Sequence, residues 1–223
     1  MYDLEQFGIG WRGALLRYLQ SSKVKNGDIY QFGVWDGFSM QVLGALVDRL
    51  RYTGVDFYGF DIFTGMPAET DEFYAQRDKP GLFNLLKKLN VTNVEEAVSI
   101  LKQGIRTDLP KDSDLTITIG LVQDTLPHFK IPAKPALYVD MDMDIYSPTK
   151  YALEYLVKNS IIVEGTIIGY DNWGQNYPNY DIYVCGESRA HKEICGSYEI
   201  ACVQLLETSN KGQTAFEVTK IKK

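Results

Sequence analysis

Residues 28–39 read DIYQFGVWDGFS, and this stretch decides the fold. Its first half is short, aromatic and β-branched, which is typical of a buried strand. Gly33 and Gly37 then mark a turn, and from Ser39 onward the apolar residues repeat with helical spacing. Strand, glycine turn and helix in this order begin a βαβ unit, which predicts a parallel sheet.

The same alternation continues along the chain. Further strands are predicted at 54–61, 115–119, 136–139 and 166–170. Helices are predicted at 4–20, 39–50, 81–101, 150–158 and near 188–194. Strand-like runs at 198–205 and 215–221 flank a hairpin-turn sequence at 208–212. We therefore predict an α/β fold in one domain over 1–223: a mostly parallel, doubly wound sheet with a C-terminal antiparallel hairpin.

The composition excludes several classes of protein. Apolar residues make up 45% and charged residues 23%, as in ordinary globular domains, so a disordered or collagen-like chain is excluded. Lys+Arg number 23 against 29 Asp+Glu, which gives a net charge of −6 without a basic run. Nucleic acid is therefore not an expected partner.

Cysteine usage and the N-terminal sequence bear on the compartment. The three cysteines are odd in number and lack C-x-x-C spacing, so neither a disulfide framework nor a zinc site is indicated. The first residues lack the basic and apolar regions of a signal peptide, and no apolar run approaches the ~20 residues of a membrane span. We expect a cytoplasmic protein without a membrane partner.

The turn after the first strand is a candidate cofactor site. Ligands of open α/β sheets bind beyond the carboxyl ends of the strands. Gly33 and Gly37 allow main-chain N–H groups to approach a ligand, and Asp61, at the end of the second strand, suits ribose hydroxyls. The glycine spacing is not G-x-G-x-x-G, which argues against a nicotinamide cofactor. A purely structural turn, with Asp61 as a turn former or cap, is the alternative.

Acidic residues follow the next two strands. Asp140, Asp142 and Asp144 come after the fourth strand, and Asp171 and Asn172 come after the fifth. Carboxylate and amide oxygens from adjacent strand ends suit Mg²⁺. Helix capping and turn formation are the alternative roles for these residues.

Five motifs in order carry a family resemblance over about residues 29–175. They are Gln31-x-Gly33-Val34-Trp35-x-Gly37-x-Ser39, Gly59-Phe60-Asp61-x-Phe63-x-Gly65-Met66-Pro67, Asp124-Thr125-Leu126-Pro127, Asp142-Met143-Asp144-Ile145-Tyr146-x-x-Thr149 and Asp171-Asn172-Trp173. Together they resemble the macrocin O-methyltransferase (TylF-like) family. Two stretches, Gly120-x-x-Gln123-Asp124-x-x-Pro127 and Asp171-Asn172, are also similar to catechol O-methyltransferase.

The resemblance implies a Rossmann-like class I methyltransferase fold, S-adenosylmethionine as methyl donor, and Mg²⁺-assisted methylation of a sugar hydroxyl. The cofactor-binding residues it implies are Gln31, Gly33, Gly37, Ser39, Asp61 and Gln123. The metal ligands it implies are Asp142, Asp144, Asp171 and Asn172, although a catechol-type alignment favours Asp140 as the third carboxylate.

Two positions depart from the families. Gln31 stands where the first strand usually carries an acidic residue, so it can hydrogen-bond the amino group of the cofactor but supplies no charge. Met143 stands where the catechol enzymes have a catalytic lysine. We therefore expect Asp144 to be the catalytic base, with His191 as a reserve and His128 in a surface loop.

Two irregular stretches are candidates for recognising a small-molecule acceptor. Residues 64–80 carry Phe73 and Tyr74 among charges and have the length of a lid. Residues 173–183 interleave aromatic and polar side chains, as sugar-stacking surfaces do; alternatively they pack on the core or form a homo-oligomer contact. A catechol-type acceptor, or a non-catalytic cofactor-binding module, are the alternative functions.

Overall fold

The computed structural model describes residues 10–70, 79–173, 186–207 and 212–222. The strands of these ranges are β1 (Asp28–Phe32), β2 (Phe57–Asp61), β3 (Leu115–Ile119), β4 (Ala136–Met141), β5 (Ile167–Tyr170), β6 (Ile200–Leu206) and β7 (Thr214–Ile221). The helices are α1 (Gly10–Gly13), α2 (Leu16–Ser21), α3 (Phe38–Arg49), α4 (Leu85–Leu89), α5 (Val94–Arg106), α6 (Val122–Thr125), α7 (Tyr146–Lys158) and α8 (Gly186–Ser197), with a 3₁₀ turn at Leu126–His128.

The strands form one sheet in the order β3-β2-β1-β4-β5-β7-β6. The first five strands of this order run parallel, whereas β7 is antiparallel to both of its neighbours. The predicted doubly wound sheet with a C-terminal hairpin is thus confirmed. The strand order reverses between β1 and β4, and in open α/β sheets a ligand crevice lies at this point.

Both faces of the sheet are covered, because the inner strands are apolar on each side. All five residues of β1 are buried. Ile29 belongs to a core shared with Leu15 and Leu43, whereas Tyr30 and Phe32 belong to a second core. This double burial fixes the central strands, and with them the loops that follow each strand.

The predicted helix over 81–101 was wrong, since two helices occupy this region. Asn90 ends α4 in a left-handed conformation with φ 55°, and the Asn93 side chain accepts a hydrogen bond from the Glu96 N–H at 2.8 Å to begin α5. Asparagine favours both of these end positions because its short side chain bonds nearby main-chain groups. The apolar spacing alone did not reveal the break.

The N-terminal helix and the end of β4 also differ from prediction. The described part of the predicted helix over 4–20 comprises α1 and α2, separated by a turn; residues 4–9 lie outside the described residues. Strand β4 continues to Met141, so Asp140 is a fully buried strand residue and not a loop residue.

Some predicted features lie outside the described residues. They include Phe73 and Tyr74 of the proposed lid, Tyr177, Tyr180 and Tyr183 of the aromatic stretch, and residues 208–211 of the hairpin turn. Among the helices that the structure describes, none has the length and apolar character needed to cross a membrane.

Candidate active site

A cavity of about 460 Å³ opens beyond the carboxyl ends of the parallel strands. Its wall includes eight of the residues predicted for cofactor or metal binding: Gly33, Ser39, Asp61, Gln123, Asp142, Asp144, Asp171 and Asn172. Gln31 and Gly37 are not part of the wall that the described residues form. The fold therefore brings most of the predicted site residues, which are distant in sequence, to one crevice.

The glycines of the first turn are required by packing within the chain. Gly33 has φ 84°, and a Cβ at this position would lie 1.9 Å from the carbonyl oxygen of Asp142. Gly37 has φ 81°, and its Cβ would lie within 2.9 Å of Leu101 and Ile105 side-chain atoms on α5. These packing contacts explain why glycine is required at both positions, whether or not a ligand binds there.

Asp61 holds the same turn in place. Its carboxylate accepts hydrogen bonds from the N–H groups of Val34 and Trp35, both at 2.8 Å, and from the Phe63 N–H at 2.6 Å. Burial raises the pKa of Asp61, and these hydrogen bonds oppose the rise. A carboxylate offers about four acceptor positions, so little capacity remains for a ligand.

Seven buried polar side-chain atoms have no hydrogen-bond partner among the described residues, and three of them belong to Trp35, Gln123 and Gln31. Two of them belong to side chains of the cavity wall, namely Trp35 Nε1 and Gln123 Oε1. The third is Gln31 Oε1; the Nε2 of this side chain donates to the Gly33 carbonyl at 3.0 Å. Since unpaired buried polar groups are costly, a donor at Trp35 and an acceptor at Gln123 suit a polar ligand in the cavity.

Arg12, a residue that the sequence analysis did not select, joins the acidic cluster. Its Nη2 lies 2.9 Å from Asp140 Oδ2 and 3.0 Å from Asp142 Oδ2, and its Nη1 lies 3.4 Å from Asp171 Oδ1. Burial lowers the pKa of Arg12, but the charges of Asp140 and Asp142 outweigh burial and raise the pKa above its usual value. Arg12 therefore stays a cation that links the ends of β4 and β5.

Among the described residues, Arg12 is the cation that contacts this acidic cluster. The carboxyl groups of Asp140, Asp142 and Asp171 lie around its guanidinium, and Asp144 lies in the loop after β4. Burial and the neighbouring Asp171 raise the pKa of Asp142 well above its usual range. The donor set therefore fits a divalent cation in addition to Arg12.

Asp144, the predicted base, has a left-handed backbone conformation, which is uncommon for residues other than glycine. Its φ is 64°, in the left-handed region, and its carboxylate accepts a hydrogen bond from the Asn172 side-chain amide. Such outliers cost of order 1–3 kcal/mol and cluster at functional sites. The conformation places Asp144 in the cavity wall beside Asp171 and Asn172.

The loop after β5 is held by two further polar residues that sequence patterns did not reveal. The fully buried Glu187 accepts a hydrogen bond from the Asn172 N–H at 2.9 Å. Gln213 donates to Asp171 Oδ1 at 3.0 Å. Both residues come from later elements of the chain, so only the tertiary structure brings them here.

The remaining candidates lie elsewhere. His191 is buried against Tyr170 and Trp173, and His128 is exposed at the end of the 3₁₀ turn. Trp173 is only 7% exposed and packs on Phe216 with ring centroids 4.5 Å apart. Trp173 is therefore a core residue and not a free stacking platform.

The described beginning of the proposed lid forms part of the cavity wall. Met66, Pro67 and Thr70 line the cavity. Glu69 accepts hydrogen bonds from the N–H groups of Tyr146 at 2.7 Å and Ser147 at 3.1 Å, the first residues of α7. A carboxylate at a helix N-terminus is favourable, and here it fastens this segment beside Asp144.

Comparison with known proteins identifies a matching family model and solved structures with a similar fold. The family model for macrocin-O-methyltransferase (TylF) matches residues 15–182. No curated protein matches the sequence significantly.

The similar solved structures are methyltransferases. A structure of the calicheamicin methyltransferase CalS11 has a TM-score of 0.69 and 22% identity over 97% of this chain and 80% of that chain. An apo structure of CalS11, described as a TDP-rhamnose 3'-O-methyltransferase, has a TM-score of 0.57 and 20% identity over 97% of this chain and 81% of that chain. The O-methyltransferase NovP has a TM-score of 0.60 and 17% identity over 94% of this chain and 80% of that chain. The O-methyltransferase TomG from Streptomyces achromogenes, in complex with SAM, has a TM-score of 0.52 and 18% identity over 94% of this chain and 80% of that chain. These likenesses show that the chain has the same fold.

Proposed function

The chain belongs to the macrocin O-methyltransferase (TylF) family of S-adenosylmethionine-dependent O-methyltransferases, and we propose that it transfers the methyl group to a hydroxyl of a sugar or glycosylated small molecule with the help of Mg²⁺. The observation that carries the magnesium part of the proposal is the set of carboxylate and amide oxygens that the ends of β4 and β5 bring to the cavity wall.

The cofactor is proposed to occupy the part of the cavity next to the β1 turn. Trp35 Nε1 and Gln123 Oε1 would complement the polar edge of the adenine, because both atoms lack partners among the described residues. Gly33 and Ser39 would lie along the ribose and methionine portions. Asp61 would accept at most one ribose hydroxyl, since three main-chain N–H groups already use its oxygens.

The metal is proposed to be held by Asp142, Asp144, Asp171 and Asn172. Asp142 and Asp171 have side chains that are each 25% exposed, whereas Asp140 is fully buried behind them beside Arg12. Asp140 is therefore assigned to holding Arg12. When bound, Mg²⁺ would supply positive charge that favours the ionised form of a nearby acceptor hydroxyl.

The protein residues would position the acceptor and take its proton. Asp144 is the proposed base, because it lies in the cavity wall and Asn172 fixes its carboxylate. Alignment of the acceptor oxygen with the sulfonium methyl would supply the other large contribution to the rate. A sugar acceptor is favoured by the family and by the similarity to CalS11, a TDP-rhamnose 3'-O-methyltransferase.

Binding and turnover measurements test the proposal. Isothermal titration should show one molecule of S-adenosylhomocysteine bound per chain, and methyl transfer to a panel of nucleotide-linked and glycosylated sugars should stop when EDTA is added. Asp171→Ala should abolish metal-dependent turnover, whereas Asp112→Ala, at an exposed position outside the cavity wall, should not. Full activity of Asp171→Ala would refute the metal role.

The same measurements separate the alternatives. Turnover of a catechol with no turnover of any sugar would select the catechol-type function. Cofactor binding without methyl transfer across both acceptor classes would indicate a non-catalytic binding module.

A further inference from the structure

A second group of metal-ligating side chains lies outside the cavity. His191 and Cys195 are one turn apart on α8, and Cys202 lies on β6, the strand that follows. Their ligand atoms all lie within 4.8 Å of one another. None of the three belongs to the cavity wall, and the proposed methyl transfer uses none of them. The sequence did not indicate this cluster, because its cysteines do not form a C-x-x-C pair.

The two distances from Cys195 Sγ to the other ligand atoms match those around one tetrahedral ion. Zn–S bonds of about 2.3 Å and Zn–N bonds of about 2.0–2.1 Å separate two bound sulfurs by about 3.8 Å, and sulfur from nitrogen by about 3.6 Å. Cys195 Sγ lies 3.9 Å from Cys202 Sγ and 3.4 Å from His191 Nε2. A disulfide would require the sulfurs to approach to about 2.05 Å, a much larger movement.

The histidine is held with one nitrogen toward the sulfurs. Its Nδ1 lies 2.8 Å from the hydroxyl of Tyr170, which is fully buried, and its ring packs against Phe216 with centroids 4.7 Å apart. Metal-binding histidines usually hydrogen-bond through the nitrogen that does not bind the metal, which fixes the ring and its tautomer. Tyr170 plays this part here, and Nε2 points toward Cys195.

We propose that His191, Cys195 and Cys202 form a Zn²⁺ site, with water as the fourth ligand. Cys195 and Cys202 are partly exposed, so the ion can enter from solvent. Two thiolates balance the charge of Zn²⁺, and such soft ligands select this ion over Mg²⁺.

Cobalt substitution tests the site in the full, reduced and metal-stripped chain. We expect one equivalent of Co²⁺ to give thiolate-to-cobalt charge transfer and tetrahedral visible bands, which Zn²⁺ then abolishes by displacement. Co²⁺ at the carboxylates of the cavity gives no thiolate band, so Asp171→Ala should leave the signal unchanged. Zn²⁺ should also protect two of the three cysteines from a thiol reagent, a measurement that needs no variant.

Variants locate the ligands. Cys195→Ser and Cys202→Ser should each lose the charge-transfer band, and Tyr170→Phe should weaken Zn²⁺ binding by about tenfold or more. Cys185→Ser, at the remaining cysteine, should bind as the wild type does. Absence of a thiolate band in the wild type, an unchanged band in both ligand variants, or a disulfide with no Zn²⁺ protection would overturn the proposal. Each result is independent of methyltransferase activity.

Discussion

Arg12 and the carboxylates around it determine the chemistry of the acidic cluster at the scale of single residues. The guanidinium contacts three aspartates, one in β4, one in the loop after β4 and one directly after β5. A buried charge that loses its partner is strongly destabilising, because the remaining ion is left without solvent or counter-charge. Arg12 is therefore expected to be necessary for the stability of the fold.

Arg12→Gln should lower the free energy of unfolding of the metal-free chain by about 3–5 kcal/mol. The reason is that Asp140 is fully buried and loses its cation. Urea unfolding measures the loss. The matched control is Arg17→Gln on α2, an exposed arginine whose loss should change stability by less than about 0.5 kcal/mol. Equal stability of the two variants would contradict the assigned role of Arg12.

Gly33→Ala should destabilise the protein because its Cβ has no room. The added carbon would lie 1.9 Å from the Asp142 carbonyl oxygen. Gly54 also has positive φ but has nothing within 4 Å of its Cβ position, so Gly54→Ala reports the conformational strain alone. Thermal unfolding should show that Gly33→Ala loses more than about 1 kcal/mol beyond Gly54→Ala. Similar losses would mean that the loop after β4 moves freely.

At the scale of elements, α7 and α8 are joined by a cluster of charged and polar groups. Glu193 accepts from the Tyr146 hydroxyl at 2.6 Å and pairs with Lys150 at 2.7 Å and Arg189 at 2.8 Å. Helix α7 begins next to Asp144, and α8 carries Glu187 behind Asn172. The contact between these helices therefore fixes the loop that carries Asp144 and the loop that carries Asn172.

The pH dependence of stability should report this contact. Burial raises the pKa of Glu193, but the hydrogen bonds from Lys150, Tyr146 and Arg189 outweigh burial and lower the pKa from 4.5 to about 2. The charged form is stabilised in the folded state, so its contribution is complete above pH 4.5 and is lost as the pH falls toward 2. Urea unfolding of wild type and Glu193→Gln should differ most near pH 6, with the difference shrinking by pH 3. A difference that is independent of pH would contradict the ion-pair role.

For the whole molecule, a ligand that binds in the cavity should raise the stability of the folded chain. A ligand that binds only the folded chain stabilises it by about 2.7 kcal/mol at 100 times its dissociation constant. S-adenosylhomocysteine and Mg²⁺ should each raise the thermal midpoint of the wild type. Asp171→Ala should lose the Mg²⁺ shift and keep the cofactor shift, because the proposed metal ligands and the turn after β1 are separate parts of the cavity wall. Loss of both shifts would indicate that the variant disturbs the whole crevice.

Much of the site could be selected from the sequence because its residues follow strands. Gly33 and Asp171 come directly after an apolar strand and Asp61 is the last residue of one, and in a parallel sheet these ends meet at one edge. The additional residues could not be found in this way. Arg12 lies 128 positions from Asp140, and Gln213 lies 42 positions from Asp171, so no local pattern connects them.

The order of the strands, the α/β class and the family could be recognised in the sequence, because apolar periodicity and strand-end motifs are local properties. Only the tertiary structure decided how the side chains share their charges and hydrogen bonds. It placed Arg12 among the carboxylates, used Asp61 to hold the turn, and brought His191, Cys195 and Cys202 together. These contacts depend on how the layers pack across the sheet, and packing between distant segments leaves no periodic signal in the chain.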